Sequence, residues 1–328
     1  MKAAWVAFRS PLAVDIERYL ATKRALGCRF LVEDRTLRVF DRFLVDTGIT
    51  TIDEITDTVI DCFLASRPRR APRSYNHLLG VVRRLYEWLL SQDVVVVSPV
   101  CASTRRETTR RLPFLFTPPV ARRLLEVAGA LPDNSRSRYR GPTYHAIFAL
   151  LYGLGLRAGE VSHLQLGDVD FDRDVLLIRE TKFGKSRQVP FGPRLGALLR
   201  AYLAERPSAR GSTPQAPLFT WTGRARVHTN SIRNTFREDI VPKLDPVVPP
   251  GTSRPRVHDL RHSFAVGALL RWYRQGLAPA ARLHHLSTFL GHVRPETTAV
   301  YLTITSDLLA EANRRFEAMA APAIAEVP

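Results

Sequence analysis

The chain has 328 residues, 45% of them hydrophobic and 24% charged, and its 48 Lys and Arg against 31 Asp and Glu give a formal net charge of +17. That length and mix exclude a disordered chain, and they exclude a core too small to hold without disulfides or metals. The positive excess points to a polyanionic partner, nucleic acid foremost, although 43 of the 48 cations are Arg, which an arginine-favouring lineage also produces. The cysteines Cys28, Cys62 and Cys101 form no CxxC pair and read as small buried hydrophobes in a reducing compartment. The opening "MKAAWVAF" is too short for a secretory signal, and the longest apolar run, His145 to Leu156, has 12 residues. A spanning helix needs about 20. The expectation is a soluble cytoplasmic protein.

In chain order, residues 11–26 read as a helix with Leu12, Ile16, Tyr19, Leu20 and Leu26 on one face. A second helix is expected over 33–47, with Leu37, Phe40, Phe43 and Leu44 as its stripe, and a third over 56–66, stopped by Pro68. A fourth over 72–91 carries Tyr75, Leu78, Leu79, Val82, Leu85, Trp88 and Leu89. Four amphipathic helices with short loops make a small bundle, assigned to residues 1–106. The arginine-rich stretch 107–116 reads as an exposed linker, and 117–328 as a second domain. Both parts are basic, net +5 over 1–106 and +12 over 107–328.

The second part mixes helix and strand. Pro118 after Thr117 opens a helix, residues 142–155 form a buried apolar helix, and the runs 174–180 and 187–191 flank a turn containing Gly184, the pattern of a β-hairpin. Helices follow near 193–205, 229–238, 258–273, 284–291, 295–303 and 306–319. The fold class is mainly α with a small antiparallel β-hairpin or sheet.

Four short motifs carry chemistry. In "GLGLRAGEVSHL", Arg157 stands at the end of an apolar helix with Glu160 three residues on, able to hold it. In "VHDLRHSFA", His258 and Arg261 share a helical face, and an imidazole beside a guanidinium is a phosphate-handling pair. "LSTFLGHVRPETTAVYL" places His292 after Gly291 and Tyr301 nine residues later; a tyrosine hydroxyl attacks a strongly activated centre. "TKFGKSRQVP" holds Lys182 and Lys185, two of only five lysines, and lysine donates a proton where arginine stays charged. Each has a plain reading too: a dipole-complementing Arg157, a chance HxxR among many arginines, a core tyrosine, a solvated turn charge. The run Asp168, Asp170, Asp172, Asp174 has Arg173 and Arg179 where a calcium loop needs Gly and Glu, so it reads as a polar turn, and no metal site is expected.

The ordered set "GLRAGE", "KxxKxRxVP", "HDLRHSFA", "LGH", "TTAVY" resembles the tyrosine recombinase (phage integrase) family over residues 113–310, and more loosely over the N-terminal bundle. The resemblance implies a core-binding bundle followed by a catalytic domain, and site-specific recombination of double-stranded DNA through a 3′-phosphotyrosine. It implies Tyr301 as nucleophile and Arg157 and Arg261 on the non-bridging oxygens of the scissile phosphate. His258 would assist proton transfer, His292 would hydrogen-bond the phosphate, Lys182 would protonate the leaving 5′-oxygen, and Glu160 would orient its neighbours. Arg69, Arg70 and Arg73 at the start of the fourth helix, with Lys185, are expected on DNA phosphates. No metal, ATP or other cofactor is implied. The assembly implied is a homotetramer on paired sites, linked by the helix at 306–319. A type IB topoisomerase-like enzyme and a non-catalytic DNA-binding regulator remain the alternatives. The 31 residues from Arg261 to His292 exceed the compact family spacing, with extra material at 271–285 and further loop expansions at 131–141 and 207–217.

Overall fold

The computed structural model describes residues 7–28, 30–106, 112–135, 137–179, 186–207, 213–292, 296–299, 310 and 314. The chain divides into two compact units, Met1–Arg110 and Arg111–Pro328.

The first unit is the expected bundle: α1 (Ala13–Ala25), α2 (Leu31–Asp46), α3 (Asp57–Ser66) and α4 (Pro72–Ser91). Leu12, Ile16, Leu37, Phe40, Leu44, Ile60, Phe63, Leu79, Val82, Leu85 and Leu89 are all fully enclosed in one core. Their spacing in each helix is the three-and-four pattern of a single apolar face. Pro72 begins α4, where its missing N–H costs nothing. Asp41, buried on α2, accepts from the backbone N–H groups of Arg9 and Ser10 and anchors the entering chain.

Two details differ from expectation. Leu26 is 72% exposed, because α1 ends at Ala25 and the chain turns away through Gly27 at φ +81°. The cysteines are not buried either. Cys62 and Cys101 are exposed and Cys28 is half-buried, all as free thiols. Cys62 lies on the outer side of α3, whose inward positions are Ile60, Phe63 and Leu64.

The second unit is built around α6 (Arg140–Gly153), which packs on α5 (Pro118–Gly129), α8 (Pro193–Glu205) and α11 (Val257–Arg274). Between them run the short helix α7 (Ala158–His163), α9 (Thr229–Thr235), α10 (Val241–Leu244), α12 (Pro279–Leu290) and α13 (Glu296–Ala299). α9 passes into α10 through one π-helical turn, Phe236–Ile240, which makes room for the ring of Pro242 against the preceding turn. Phe114 and Phe116, inside the stretch expected as linker, are buried in this unit's core, and Ser263 on α11 accepts the Phe116 N–H at 2.8 Å.

The hairpin is part of a three-stranded antiparallel sheet in the order β1 (Val169–Asp170), β2 (Val175–Ile178), β3 (Arg187–Pro190). The aspartate run is the turn that adds β1. Asp170 accepts from the N–H groups of Asp172 and Arg173, and Asp174 takes φ +51°. In the β2–β3 register Leu176 faces Val189 and Ile178 faces Arg187. Residues 180–185, with Lys182 and Lys185, lie outside the described residues, as do Tyr301 and nearly all of the expected helix at 306–319. The segment 271–285 is the end of α11, a turn through Gly276 at φ +76°, and the start of α12. Among the described residues no helix is long and apolar enough to cross a membrane.

Candidate active site

The chain leaves α6 through Gly155, whose φ of +60° suits glycine and whose absent Cβ would press to 2.6 Å from the Phe264 ring. That tight turn places Arg157 as the residue capping α7. Glu160, in the first turn of α7, accepts from the Arg157 backbone N–H at 2.9 Å and from Arg157 Nη1 at 2.7 Å. The sequence-level pairing of Arg157 with Glu160 is therefore present in the structure.

A second arginine reaches the same carboxylate. Arg187 on β3 donates from Nη1 to Glu160 Oε1 at 3.0 Å and from Nη2 to Oε2 at 2.9 Å, the two-pronged geometry that suits a guanidinium to a carboxylate. No role was expected for Arg187, though it stands in the motif "KxxKxRxVP". The available signal was strand alternation, which sets Arg187 on the same face as buried Val189. The two arginines differ in access. The Arg157 side chain is 31% exposed and that of Arg187 only 11%, so Arg157 is the one open to an incoming anion.

The C-terminal end of α12 collects the site. A helix end leaves backbone carbonyls without helical partners, and here three successive ones take arginines. Arg187 Nε donates to Phe289 O at 2.9 Å, Arg261 Nη2 to Leu290 O at 2.6 Å, and Arg157 Nη2 to Gly291 O at 3.1 Å. Arg261, 1% exposed on α11, also donates from Nη1 to Gly155 O at 2.8 Å. It thereby ties the turn before Arg157 to the residues before His292. Gly291 closes the helix at φ +67°, and a Cβ there would come within 2.8 Å of Arg187 Nη1.

His258 stands one turn before Arg261 on α11, edge-on to His262 with ring centroids 4.8 Å apart. The residue is exposed. The protein crowded around it, with Arg261, Arg157, Arg256 and Arg233 nearby, pushes its pKa down to about 4. Burial, together with Arg261, Arg157, His258 and Arg187, pushes His292 down to about 3. Both imidazoles are thus neutral near neutral pH in the DNA-free protein. Burial alone would raise the Glu160 carboxyl, but the hydrogen bonds and charges of Arg187 and Arg157 outweigh it and hold the group below its ordinary 4.5.

Arg157, Glu160, His258, Arg261 and His292 therefore form one electrostatic cluster, with Arg187 added. Arg69, Arg70 and Arg73 are elsewhere, exposed at the start of α4 in the first unit. Among the described residues no group of three or more His, Cys, Asp or Glu is placed to hold a metal.

Glu160→Gln is expected to lower the unfolding free energy at pH 7 by about 3 kcal/mol, because a buried guanidinium loses its counter-charge. The carboxyl's pKa is depressed in the folded state, so its contribution is present above 4.5 and is lost as pH falls through the folded value. Urea titrations of both proteins should show the gap full at neutral pH and closing below 4.5; a gap independent of pH removes the charge argument.

The second unit thus holds a clustered arginine–histidine site on helices and a small sheet, and the comparisons say which class of protein carries it. The model of the phage integrase family matches residues 120–307. A candidate integrase/recombinase of Sinorhizobium fredii, y4rB, is 35% identical over 305 residues, covering 92% of this chain and 96% of that protein. The tyrosine recombinase XerC of Lacticaseibacillus casei is 28% identical, covering 82% and 85%. Among solved structures, the Tn1549 transposon integrase in complex with a circular intermediate DNA superposes with a TM-score of 0.64 at 16% identity, covering 94% of this chain and 100% of that one. A lambda integrase dimer bound to a COC′ core site gives 0.60 at 14%, covering 87% and 96%. The chain belongs to the phage integrase family, the tyrosine recombinases, and its activity is site-specific recombination of DNA.

Proposed function

We propose that this chain cuts and rejoins duplex DNA through a covalent link to Tyr301, without metal or ATP. The observation that carries the reading is the end of α12, where Arg157, Arg187 and Arg261 converge on three consecutive carbonyls beside His292. Arg157 and Arg261 stabilise charge on the non-bridging oxygens of the scissile phosphate, and His292 donates a hydrogen bond to it. The Tyr301 oxygen attacks phosphorus, its proton passing towards His258. The bond from phosphorus to the 5′-oxygen breaks, and Lys182 supplies that oxygen with a proton. The phosphotyrosine keeps the energy of the broken bond, so a free 5′-hydroxyl from a second duplex reverses the step and joins the strands. Glu160 orients Arg157.

Duplex DNA as substrate has support from the solved complexes of the Tn1549 and lambda integrases, both bound to DNA. The basic first unit would track the backbone through Arg69, Arg70 and Arg73, with Lys185 as a further phosphate contact. Recombination needs four cleavages and each chain carries one Tyr301, so we assign a homotetramer on paired sites.

The test is a nicked suicide duplex made from the DNA flanking the gene. Wild-type protein in EDTA should give an adduct that survives denaturation, and peptide mapping should place the nucleotide remnant on Tyr301. A strict need for a divalent metal points to nuclease chemistry and overturns the reading. A separate measurement tests the bundle. Replacing Arg69, Arg70 and Arg73 by Ala should weaken binding alike on all sequences and flatten the salt dependence by roughly one unit of slope for each phosphate no longer neutralised. An unchanged slope returns these residues to ordinary surface.

A further inference from the structure

His292 follows α12 directly, and α13 begins four residues later. Its Nδ1 lies 2.7 Å from Thr298 Oγ1, and that oxygen lies 2.7 Å from Ser287 Oγ. Ser287 is 3% exposed and Thr298 is fully buried. The His292 backbone N–H also donates to the Ser287 backbone carbonyl at 2.9 Å. A three-member chain of hydrogen bonds thus joins α12, His292 and α13.

A threonine hydroxyl has one hydrogen, and a neutral imidazole has one N–H and one bare nitrogen. Where Thr298 donates within this chain, the chain runs in one of two directions; where its hydrogen goes elsewhere, the ring carries its hydrogen on Nδ1, as in the second of them. In the first, Ser287 donates to Thr298, Thr298 donates to Nδ1, and Nε2 carries the ring hydrogen. In the second, Nδ1–H donates to Thr298, Thr298 donates to Ser287, and Nε2 is an acceptor. A phosphate oxygen accepts hydrogen bonds, so only the first direction suits a ring that donates to it. Burial first, and then the nearby guanidiniums, keep the ring neutral, so the choice of tautomer decides what it offers.

We propose that Thr298 is a positioning residue for recombination: its hydroxyl, oriented by Ser287, occupies Nδ1 of His292 and fixes the tautomer whose Nε2–H donates to the scissile phosphate. This rests on the reading of His292 as a phosphate donor. Thr298 stands three residues before Tyr301 in the chain. The hydroxyl that sets the phosphate donor is therefore delivered by the same segment that carries the nucleophile.

The experiment uses the full chain and single-turnover cleavage of the suicide duplex. Thr298→Val keeps the shape and removes the hydroxyl. It should slow cleavage about ten-fold with DNA binding unchanged, a fraction of what deleting a preorganised donor outright costs. Thr298→Ser should keep at least about half the rate, since the hydroxyl remains. Added to His292→Phe, the Val substitution should slow cleavage no further, because the two residues act as one unit. Nitrogen-15 spectra of the imidazoles should show Nδ1 of His292 as the bare nitrogen in wild type, and a tautomer mixture in the Val variant. A Val variant as fast as wild type beside an impaired His292→Phe overturns the proposal, as do additive losses or a protonated Nδ1 in wild type. His292→Phe cleaving at the wild-type rate instead overturns the phosphate role of His292, and the proposal with it. If the Val variant does not fold, the wild-type spectrum decides alone.

Discussion

Tyr301→Phe is expected to give no covalent adduct while binding its DNA site as wild type does. The change removes one oxygen and leaves the ring, so on the function proposed above binding persists and the attacking atom is lost. Loss of a covalent nucleophile costs on the order of a million-fold in rate, which on a suicide duplex reads as complete absence. Four of the other eight tyrosines are poor substitutes. Tyr19, Tyr86, Tyr144 and Tyr202 are all at most 3% exposed, inside the two cores. Burial raises the pKa of each of these four phenols, away from the phenolate. An adduct that persists in the Phe variant assigns the nucleophile elsewhere, and the comparison of denaturing gels for the two proteins settles it.

Arg261→Lys should slow cleavage by about a hundred-fold or more, and it should also cost stability. The guanidinium spans two backbone carbonyls, Gly155 O and Leu290 O, on segments that lead to Arg157 and to His292. A lysine ammonium is a single point on a flexible stem and cannot hold both in the planar geometry of a fork. One carbonyl is then left buried without its partner, at about 1–3 kcal/mol. Loss of the phosphate donor that the proposed function assigns to Arg261 adds about a hundred-fold or more in the cleavage rate. Urea unfolding and single-turnover cleavage separate the two effects. A variant that loses stability but cleaves at the wild-type rate makes Arg261 a brace only.

The two-unit helical architecture was legible because helical periodicity is written in side chains. Phe40 and Leu44 on α2, or Leu78, Val82 and Leu89 on α4, mark their faces before any contact is known. Leu26 was misjudged because periodicity continues past a helix end that Gly27 enforces. β1 was not visible because two residues, Val169 and Asp170, carry no alternation to read. At the site, Arg157 with Glu160 was legible as a local pair, three residues apart. Arg187 was not, since its partners Glu160 and Phe289 O lie 27 and 102 residues away in the chain. The acceptors on α12 are backbone atoms and have no sequence signature at all. Thr298 and Ser287 sit inside recognisable motifs, yet their shared hydrogen bond needs two helices brought together.

The arginine-capped end of α12 also divides mutational tolerance unevenly across three neighbouring positions. Because the acceptors are main-chain oxygens, no substitution at Phe289, Leu290 or Gly291 deletes one. Phe289 answers to its stacking on Phe264, at 5.3 Å between ring centroids, and to its packing against the core, so another large apolar side chain there leaves the arginines in place. Leu290, fully buried, answers to the volume of the α11–α12 core. Gly291 alone is constrained by the main chain itself. Any Cβ there meets both a left-handed φ and the Arg187 guanidinium. Among libraries of active variants, diversity should therefore decline from 289 through 290 and vanish at 291, although no side chain at 291 ever touches the DNA chemistry.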